Sequence, residues 1–361
     1  FWTTALWAAA RAFDRGQARW WIFAGVAAGL ACLSKYSALF LAPAVVLWLA
    51  ATPQGRQRLA QPWPWIAAAI AVAIFSANIL WNAEHHWQTF DKQFGRAAAS
   101  RLQPRYLIEF LAGQFVLLNP ATAILAAIGA RRAWRERARS QVAWLMLAAT
   151  APFLAYLLVH SLHDRVQAHW PVPLYSAAAV LAAWAAGETQ GWRRSLARFA
   201  PVGLVLGVLA LAHAAVPASD FGPGDPALQL RGWPAFARTV DGARQAAGAG
   251  WVGTLSYGVN AQLQAADPAL PVLQIDERDR YAGLPPRMPD LAKPGLIVDL
   301  RRRLDLARLR ACFATVGPPG ELNRAVGRAA DERYAVVAVA KPKIDLLGQG
   351  CEPGRPSAIS R

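Results

Sequence analysis

Residues 20–50 read WWIFAGVAAGLACLSKYSALFLAPAVVLWLA, and Lys35 is the only charged side chain among them. A helix needs about 20 predominantly apolar residues to cross the hydrocarbon core of a bilayer. The runs on either side of Lys35 are short for that purpose, so they form either two crossings or one re-entrant hairpin. In both cases the stretch predicts a protein that lies in a membrane.

Similar apolar runs recur over the first part of the chain. Of the 361 residues, 55% are hydrophobic, 17% are charged and 16 are tryptophan, a composition typical of membrane proteins. Hydropathy predicts about eight crossings. They lie at residues 1–13, 20–33, 36–51, 63–81, 106–130, 141–159, 169–186 and 199–216. We therefore expect residues 1–217 to form a polytopic α-helical membrane region.

Basic residues are distributed unevenly between the predicted loops. Alternate loops are rich in arginine: Arg11, Arg15, Arg19, Arg56, Arg58, Arg131, Arg132, Arg135, Arg137, Arg139, Arg193, Arg194 and Arg198. The opposite loops carry fewer cations, namely Lys35, Lys92, Arg96, Arg101, Arg105 and Arg165. Short basic loops stay in the cytoplasm. We therefore expect a multi-pass protein of the bacterial inner (plasma) membrane whose loop 161–173, SLHDRVQAHWPVP, faces outward.

The net charge of +16 thus has an explanation in membrane orientation. Because the arginines lie in loops between spans rather than on one face of a soluble domain, we expect no nucleic-acid partner. Membrane lipids are the expected surroundings.

Residues 218–361 have a different texture, with Pro and Gly followed by alternating helix-like and strand-like runs. WVGTLSY, LPVLQI, PGLIVDL and ERYAVVAVAK read as strands, and GWPAFARTVDGARQAAG and LDLARLRACF read as helices. This alternation predicts a small C-terminal α/β soluble domain on the extracytoplasmic side. A disulfide between Cys312 and Cys351 is compatible with that side but is not fixed by their spacing.

Two outward features combine charge with aromatic rings. Lys35 between apolar segments is either a snorkelling lysine or a contact to a lipid phosphate. The loop that follows Trp81 carries a denser set, Asn82, His86, Trp87, Phe90, Gln93 and Arg96. Rings with amides and an arginine suit a sugar next to a phosphate, although the same composition describes an amphipathic interfacial helix.

All six histidines fall at or near outward ends of the predicted spans: His85, His86, His160, His163, His169 and His213. They indicate either a polar site or interfacial anchoring. No residue is assigned to a metal, no cofactor is established, and a divalent metal stays open. Glu109, just inside its span, is a candidate general base or a hydrogen-bonded structural residue.

The order of these motifs resembles a known family. WWIFAGVAAGLACLSKYSALFLAPAVVL, NAEHHWQTFDKQFGR and RVQAHWPVPLYSAAAVL are similar to segments of family 39 glycosyltransferases and the related aminoarabinose transferases. His169 stands where the family usually has Asn. GWPAFARTV and ERDRYAGLP resemble the soluble domain that these proteins carry.

The resemblance implies a GT-C type membrane glycosyltransferase. Such an enzyme takes a sugar from a polyprenyl-phosphate donor at the outer face and passes it to a lipid, glycan or protein acceptor. The family's catalytic acid lies near the start of the protein, so we expect it upstream of Phe1 and expect this chain to be incomplete and inactive alone. The catalytic residue is therefore unknown.

The remaining site residues are assigned by chemistry. A leaving phosphate needs cations, and those on the outward side are Lys35, Arg96 and Arg165. Sugar or acceptor contacts are expected from Asn82, His86, Trp87, Gln93, Gln167, His169 and Trp170. The alternative function is a transporter or flippase of a lipid-linked sugar, and a structural scaffold with a binding tail is a third. A repeated half of the chain, the usual sign of a transporter, is not seen in this sequence.

Overall fold

A computed structural model describes residues 1–85, 87–90, 102–216, 221, 225–278, 289–326, 331–348 and 350–351. The chain divides into two compact units, Phe1–Val208 and Leu209–Arg361. The first unit is helical, and the second holds a small sheet.

The first unit consists of helices that follow one another along the chain. They are α1 (Trp2–Arg15), α2 (Ala18–Ser34), a 3-10 helix (Tyr36–Phe40), α3 (Leu41–Ala50), α4 (Pro53–Leu59), α5 (Pro62–Glu84), α6 (Pro104–Leu117), α7 (Pro120–Arg135), α8 (Gln141–Ser161), α9 (Val172–Ala186) and α10 (Gln190–Ala215), the last of which continues into the second unit. Their buried side chains are mostly alanine, leucine and tryptophan. A predominantly helical chain, as the hydropathy predicts, is confirmed.

Helices α2 and α5 approach closely because α2 presents glycine at two positions one turn apart. A Cβ atom at Gly25 would overlap the backbone of Ala67, and one at Gly29 would lie 2.8 Å from Cβ of Ile74. In a membrane the hydrophobic effect does not draw helices together. Small residues instead let the helix backbones pack closely. The contact fixes the C-terminal end of α2, and with it Lys35, beside α5.

The run 106–130, predicted as one crossing, is instead two helices that meet at an angle of 103°. Asn119 has φ 67° and caps α7 by accepting the Ala121 N–H at 3.1 Å. Pro120 follows as the first residue of α7, a position whose N–H has no partner within the helix, so the missing N–H of proline is tolerated. The same missing N–H prevents Pro120 from continuing α6. The Asn119–Pro120 pair therefore breaks the helix.

Three helices in the described ranges are long and apolar enough to cross a membrane: Pro62–Glu84, Gln141–Ser161 and Gln190–Ala215. The bent pair α6 and α7 is a fourth if it forms one span. Three shorter apolar helices are Ala18–Ser34, Tyr36–Ala50 and Val172–Ala186. Several membrane-capable helices are thus confirmed, and the number of about eight crossings stays a prediction.

The second unit contains a six-stranded sheet with strand order β2-β1-β3-β6-β4, and β5 also pairs with β6. The strands are β1 (Trp251–Thr254), β2 (Val272–Gln274), β3 (Gly295–Leu300), β4 (Phe313–Val316), β5 (Gly320–Ala325) and β6 (Asp331–Pro342). β1 is parallel to β2 and β3, and β6 is antiparallel to its neighbours. The helices are α11 (Trp233–Ala246), α12 (Tyr257–Ala266) and α13 (Leu306–Cys312).

Alternate side chains of β3 enter different apolar clusters, as the two-residue period of a strand requires. Val298 packs in a cluster with Phe236 of α11 and Leu263 of α12, whereas Ile297 packs in a second cluster with Leu309 of α13. The disulfide Cys312–Cys351 lies in this second cluster and spans 39 residues. Both faces of the sheet are therefore covered by helices.

Candidate functional site

The turn after α2 presents Lys35. Its backbone is extended, with φ −162°, and this ends α2 while the Lys35 N–H still donates to the Ala31 carbonyl at 2.9 Å. The side chain is exposed and makes no hydrogen bond or ion pair with the residues that the structure describes. Within the described ranges, Lys35 is therefore a cation without a counter-charge.

A hydrogen-bonded amide network joins this turn to the end of α5. The Tyr36 hydroxyl donates to Oδ1 of Asn78 at 2.8 Å, and Nδ2 of Asn82 donates to the Asn78 carbonyl at 2.9 Å. Oδ1 of Asn82 accepts the Thr89 N–H at 3.2 Å, and Asn82 is fully buried. Asn82, predicted as a sugar contact, thus lies inside the network and holds the following loop.

The same loop carries exposed and half-buried rings. Tyr36 packs edge-on against Phe90, with centroids 5.6 Å apart, and Phe90 packs at the same distance against Trp87. Trp87 has φ 57° and remains 45% exposed. Its backbone N–H donates to the Asn82 carbonyl at 2.8 Å, so the network holds the partly exposed indole, which Phe90 connects to Tyr36.

A row of rings connects the Lys35 turn to the second predicted loop. Phe40 lies 5.2 Å from Tyr156, Tyr156 lies 5.8 Å from His160, and His160 lies 5.3 Å from Trp170, all measured between ring centroids. Trp170 is half-buried, whereas Gln167 and His169 on either side of it are exposed. The structure therefore brings the Lys35 turn and the 161–173 loop to the same end of the first unit.

Arg165 is held by an acid that the sequence also singled out. Its Nε and a terminal nitrogen lie 3.0 and 2.9 Å from Oε2 of Glu109, and its guanidinium lies 5.9 Å from the Tyr106 ring centre. The side chains of Arg165 and Glu109 are 63% and 45% exposed. The Arg165 N–H also donates to Oδ1 of Asp164 at 2.7 Å. We call Lys35, Tyr36, Trp87, Arg165 and Trp170 together the polar rim.

Three predicted site residues, His86, Gln93 and Arg96, lie outside the described residues. Sequence reasoning missed Tyr36 and Asn78, which carry the network, and Tyr156, which carries the row of rings. A signal for Asn78 was present, because a polar residue in the apolar helix α5 lies one turn before Asn82.

The histidines do not assemble in the described part of the chain. His85 is stacked on Trp81, with centroids 4.1 Å apart, and its Nδ1 lies 2.7 Å from the Trp81 carbonyl. Nδ1 of His163 lies 3.1 Å from the Val159 carbonyl. No group of three His, Cys, Asp or Glu among the described residues could hold a metal ion. These histidines pack at helix ends.

An apolar groove of about 330 Å³ lies between α1, α2, α3 and α5. Cys32, Ala38 and Phe75 line it close in sequence to Lys35 and Asn78, and Leu59 and Trp65 line it toward the start of α5. Its lining is almost entirely hydrocarbon. The groove suits an apolar chain along the first half of α5, from Pro64 to Phe75.

Comparison with known proteins gives two matches. Residues 1–81 match the family described as dolichyl-phosphate-mannose-protein mannosyltransferase. A lipid A galacturonosyltransferase, RgtD, from Rhizobium johnstonii is 29% identical over 168 residues. Over these residues the chain is similar to glycosyltransferases. This confirms the resemblance seen in the motifs.

The extent of the second match is limited. It covers 44% of this chain and 34% of the relative, so the chain spans about a third of the length of the curated relative that it matches. No solved structure matches the chain. The family match covers α1, α2, α3 and most of α5, which together form the apolar groove and the Lys35 turn.

Proposed function

We propose that the chain is part of a membrane glycosyltransferase that moves a sugar from a polyprenyl-phosphate donor to a lipid, glycan or protein acceptor. The observation that carries the proposal is Lys35, which has no ion-pair partner among the described residues. Cys32 and Ala38, three residues on either side of it, line an apolar groove within the segment that matches the mannosyltransferase family. The relative named for lipid A makes a glycolipid the first acceptor to test.

The groove and Lys35 fit the two ends of such a donor. A polyprenyl chain is apolar and packs against the hydrocarbon lining, while its phosphate needs a cation where the chain leaves the membrane core. Placing an ammonium at mid-bilayer costs about 2.5–3.5 kcal/mol of free energy, and the cost is smaller near the interface. An exposed Lys35 close to a helix end is therefore tolerated at the interface. We assign the donor phosphate to Lys35.

Arg165 is the second proposed phosphate contact. An exposed ion pair is worth about 0.2–1 kcal/mol, so Glu109 orients the guanidinium without holding it strongly. The donor phosphate offers the guanidinium two oxygens for paired hydrogen bonds, and it gains negative charge as the sugar leaves, which the Glu109 carboxylate does not. Donor binding would therefore draw Arg165 away from Glu109, and the leaving phosphate would keep its charge between two cations.

The exposed rings and amides of the rim are proposed to contact the sugar or the acceptor. Trp87 offers an open face on which the apolar side of a sugar ring stacks. Gln167 and His169 are exposed next to Trp170 and can bind hydroxyl groups. Asn82 is proposed to act indirectly, by holding the loop of Trp87 in place.

We place the polar rim and residues 218–361 on the outer side of a bacterial plasma membrane. The arginine-rich loops support this orientation through the positive-inside rule. The disulfide Cys312–Cys351 supports it independently, because disulfides persist in the periplasm or outside the cell rather than in the cytosol.

The proposal is tested in sealed membrane vesicles of known orientation, prepared from cells that express the gene encoding this chain. Labelled polyprenyl-phosphate sugars are supplied with lipid A, and transfer of label to the acceptor is followed. We expect transfer only when donor and acceptor reach the outer face. Movement of the donor across the membrane without any transfer would instead identify a flippase and reject the proposal.

Orientation is measured separately by cysteine labelling. Ala168→Cys, at an exposed position of the 161–173 loop, should react with a membrane-impermeant maleimide added outside, in a background where the free Cys32 is replaced. Reaction only after permeabilisation would invert the topology and remove the argument for an outer site.

A further inference from the structure

Three arginines follow β3 without interruption, as the 3-10 helix Arg301–Arg303. Arg301 and Arg302 line an open depression of about 570 Å³ together with Leu300, Glu332 and Arg333. We call Arg301, Arg302 and Arg333 the arginine patch. All three side chains are exposed.

Strand pairing explains why the patch forms. β3 and β6 are antiparallel with Leu300 opposite Tyr334, so Arg333 lies beside the residues that follow β3. Glu321 on β5 then bridges two of the arginines: Oε2 lies 3.0 Å from Arg301 and Oε1 lies 3.7 Å from Arg333. Arg302 makes no hydrogen bond or ion pair with the described part of the chain.

The patch keeps an excess of positive charge. Glu332 also lines the depression, but its Oε2 is bound by the buried Arg324 guanidinium and accepts the Tyr334 hydroxyl at 3.0 Å. Glu321 is shared between Arg301 and Arg333, so one carboxylate faces three guanidinium groups. An anion in the depression would meet uncompensated charge.

The more usual anion position on such a sheet is already filled. Ligands of open α/β sheets bind at the carboxyl ends of parallel strands, where the backbone N–H groups of the next helix bind phosphate. Here the buried carboxylate of Asp299 accepts the Leu255 and Ser256 N–H groups at 2.8 and 2.6 Å, directly before α12. That position is therefore closed to an external anion, whereas the arginine patch is exposed.

We propose that the arginine patch binds the phosphate groups of an anionic lipid headgroup. Guanidinium groups offer paired donors that match phosphate oxygens, and an anionic lipid surface attracts arginine side chains. Helices able to cross a membrane belong to the same chain, so lipid headgroups are a ligand that the chain can meet. The site is separate from the proposed sugar transfer, because binding requires neither donor nor turnover.

The test measures binding to the full chain in phosphatidylcholine nanodiscs by calorimetry. The probes are dihexanoyl phosphatidic acid and inorganic phosphate, added separately. We expect the lipid to bind more tightly than inorganic phosphate, because Leu300 and the open depression add contacts that phosphate alone cannot make. Arg302→Gln should weaken lipid binding about fivefold or more, and the affinity should fall as salt is raised.

Two control variants remove the same charge outside the patch. Arg303→Gln changes the same turn but a residue that does not line the depression, and Arg238→Gln changes an exposed arginine of α11. Both should leave lipid binding within about twofold. Arg333→Gln is a second patch variant, expected to weaken binding, and thermal unfolding checks that all variants fold.

Equal losses from Arg302→Gln and Arg303→Gln would mean a general positive field and would overturn the proposal. Equal affinity for inorganic phosphate and for the lipid would reject the headgroup as the ligand. Absence of binding by folded native chain would reject the site altogether, with no consequence for the transferase proposal.

Discussion

Glu109 has two possible roles beside the polar rim, orienting Arg165 or acting as a general base, and Glu109→Gln distinguishes them. If Glu109 only orients Arg165, its neutralisation frees the guanidinium for the donor phosphate. If Glu109 is a general base, its neutralisation removes the base. The two explanations predict opposite changes in catalysis by the same variant.

The magnitude follows from the exposure of the pair. With side chains 63% and 45% exposed, the Arg165–Glu109 ion pair is worth about 0.2–1 kcal/mol. Since 1.4 kcal/mol is a factor of ten, the competition raises the donor KM by at most about fivefold. Glu109→Gln should therefore lower the KM for a polyprenyl-phosphate sugar by up to about fivefold, with kcat kept.

The assay is transfer of labelled sugar in membranes, with the donor concentration varied and protein amounts matched. Asp164→Asn is the matched control, because Asp164 binds the backbone N–H of Arg165 rather than its guanidinium. It removes the same charge from the same region and should change KM less. A loss of kcat in Glu109→Gln with KM unchanged would refute the orienting role and identify Glu109 as the base.

Three further predictions concern packing, covalent closure and pH. Gly25→Ala should lower the melting temperature in detergent by about 2–4 °C per kcal/mol lost, because its Cβ would overlap Ala67, whereas Gly207→Ala, with no atom nearby, should not destabilise. Reduction of Cys312–Cys351, checked by unfolding with and without dithiothreitol, should cost about 4 kcal/mol for a loop of 39 residues, and an unchanged transition would refute the pairing. Burial raises the pKa of Asp299 despite its backbone donors, so the native chain should lose stability as pH rises from about 3.9 through that raised pKa. Asp299→Asn should show no such loss, and parallel pH profiles of unfolding for both proteins would contradict this sign.

Much of the helical architecture could be predicted from the apolar runs, because a helix buried in lipid or among other helices needs a long stretch of hydrophobic residues. The strands at Trp251–Thr254 and Gly295–Leu300 were also predictable from their apolar runs. β5, with the sequence GELNRA, was missed because its mostly exposed polar side chains carry no such pattern. It forms through backbone pairing with β6, which is a tertiary effect.

The candidate site was likewise predictable only in part. Lys35 and Arg165 could be singled out because an isolated charge beside apolar runs is visible in sequence. The partners of these residues were not visible, since Glu109 lies 56 positions from Arg165 and Asn78 lies 42 positions from Tyr36. Helix packing brings them together, and spacing along the chain does not encode that packing.

The most direct test of the account is the donor KM of Lys35→Gln and Arg165→Gln, measured in membranes that express the gene encoding this chain. Arg198→Gln, an exposed arginine of the arginine-rich loops, is the control. If both cations bind the donor phosphate, each rim variant should raise the KM about tenfold or more, as loss of a charge-assisted contact requires, while the control keeps the native value. Native KM and kcat in both rim variants would mean that Lys35 and Arg165 only anchor the chain at the interface, and the donor site would have to lie elsewhere.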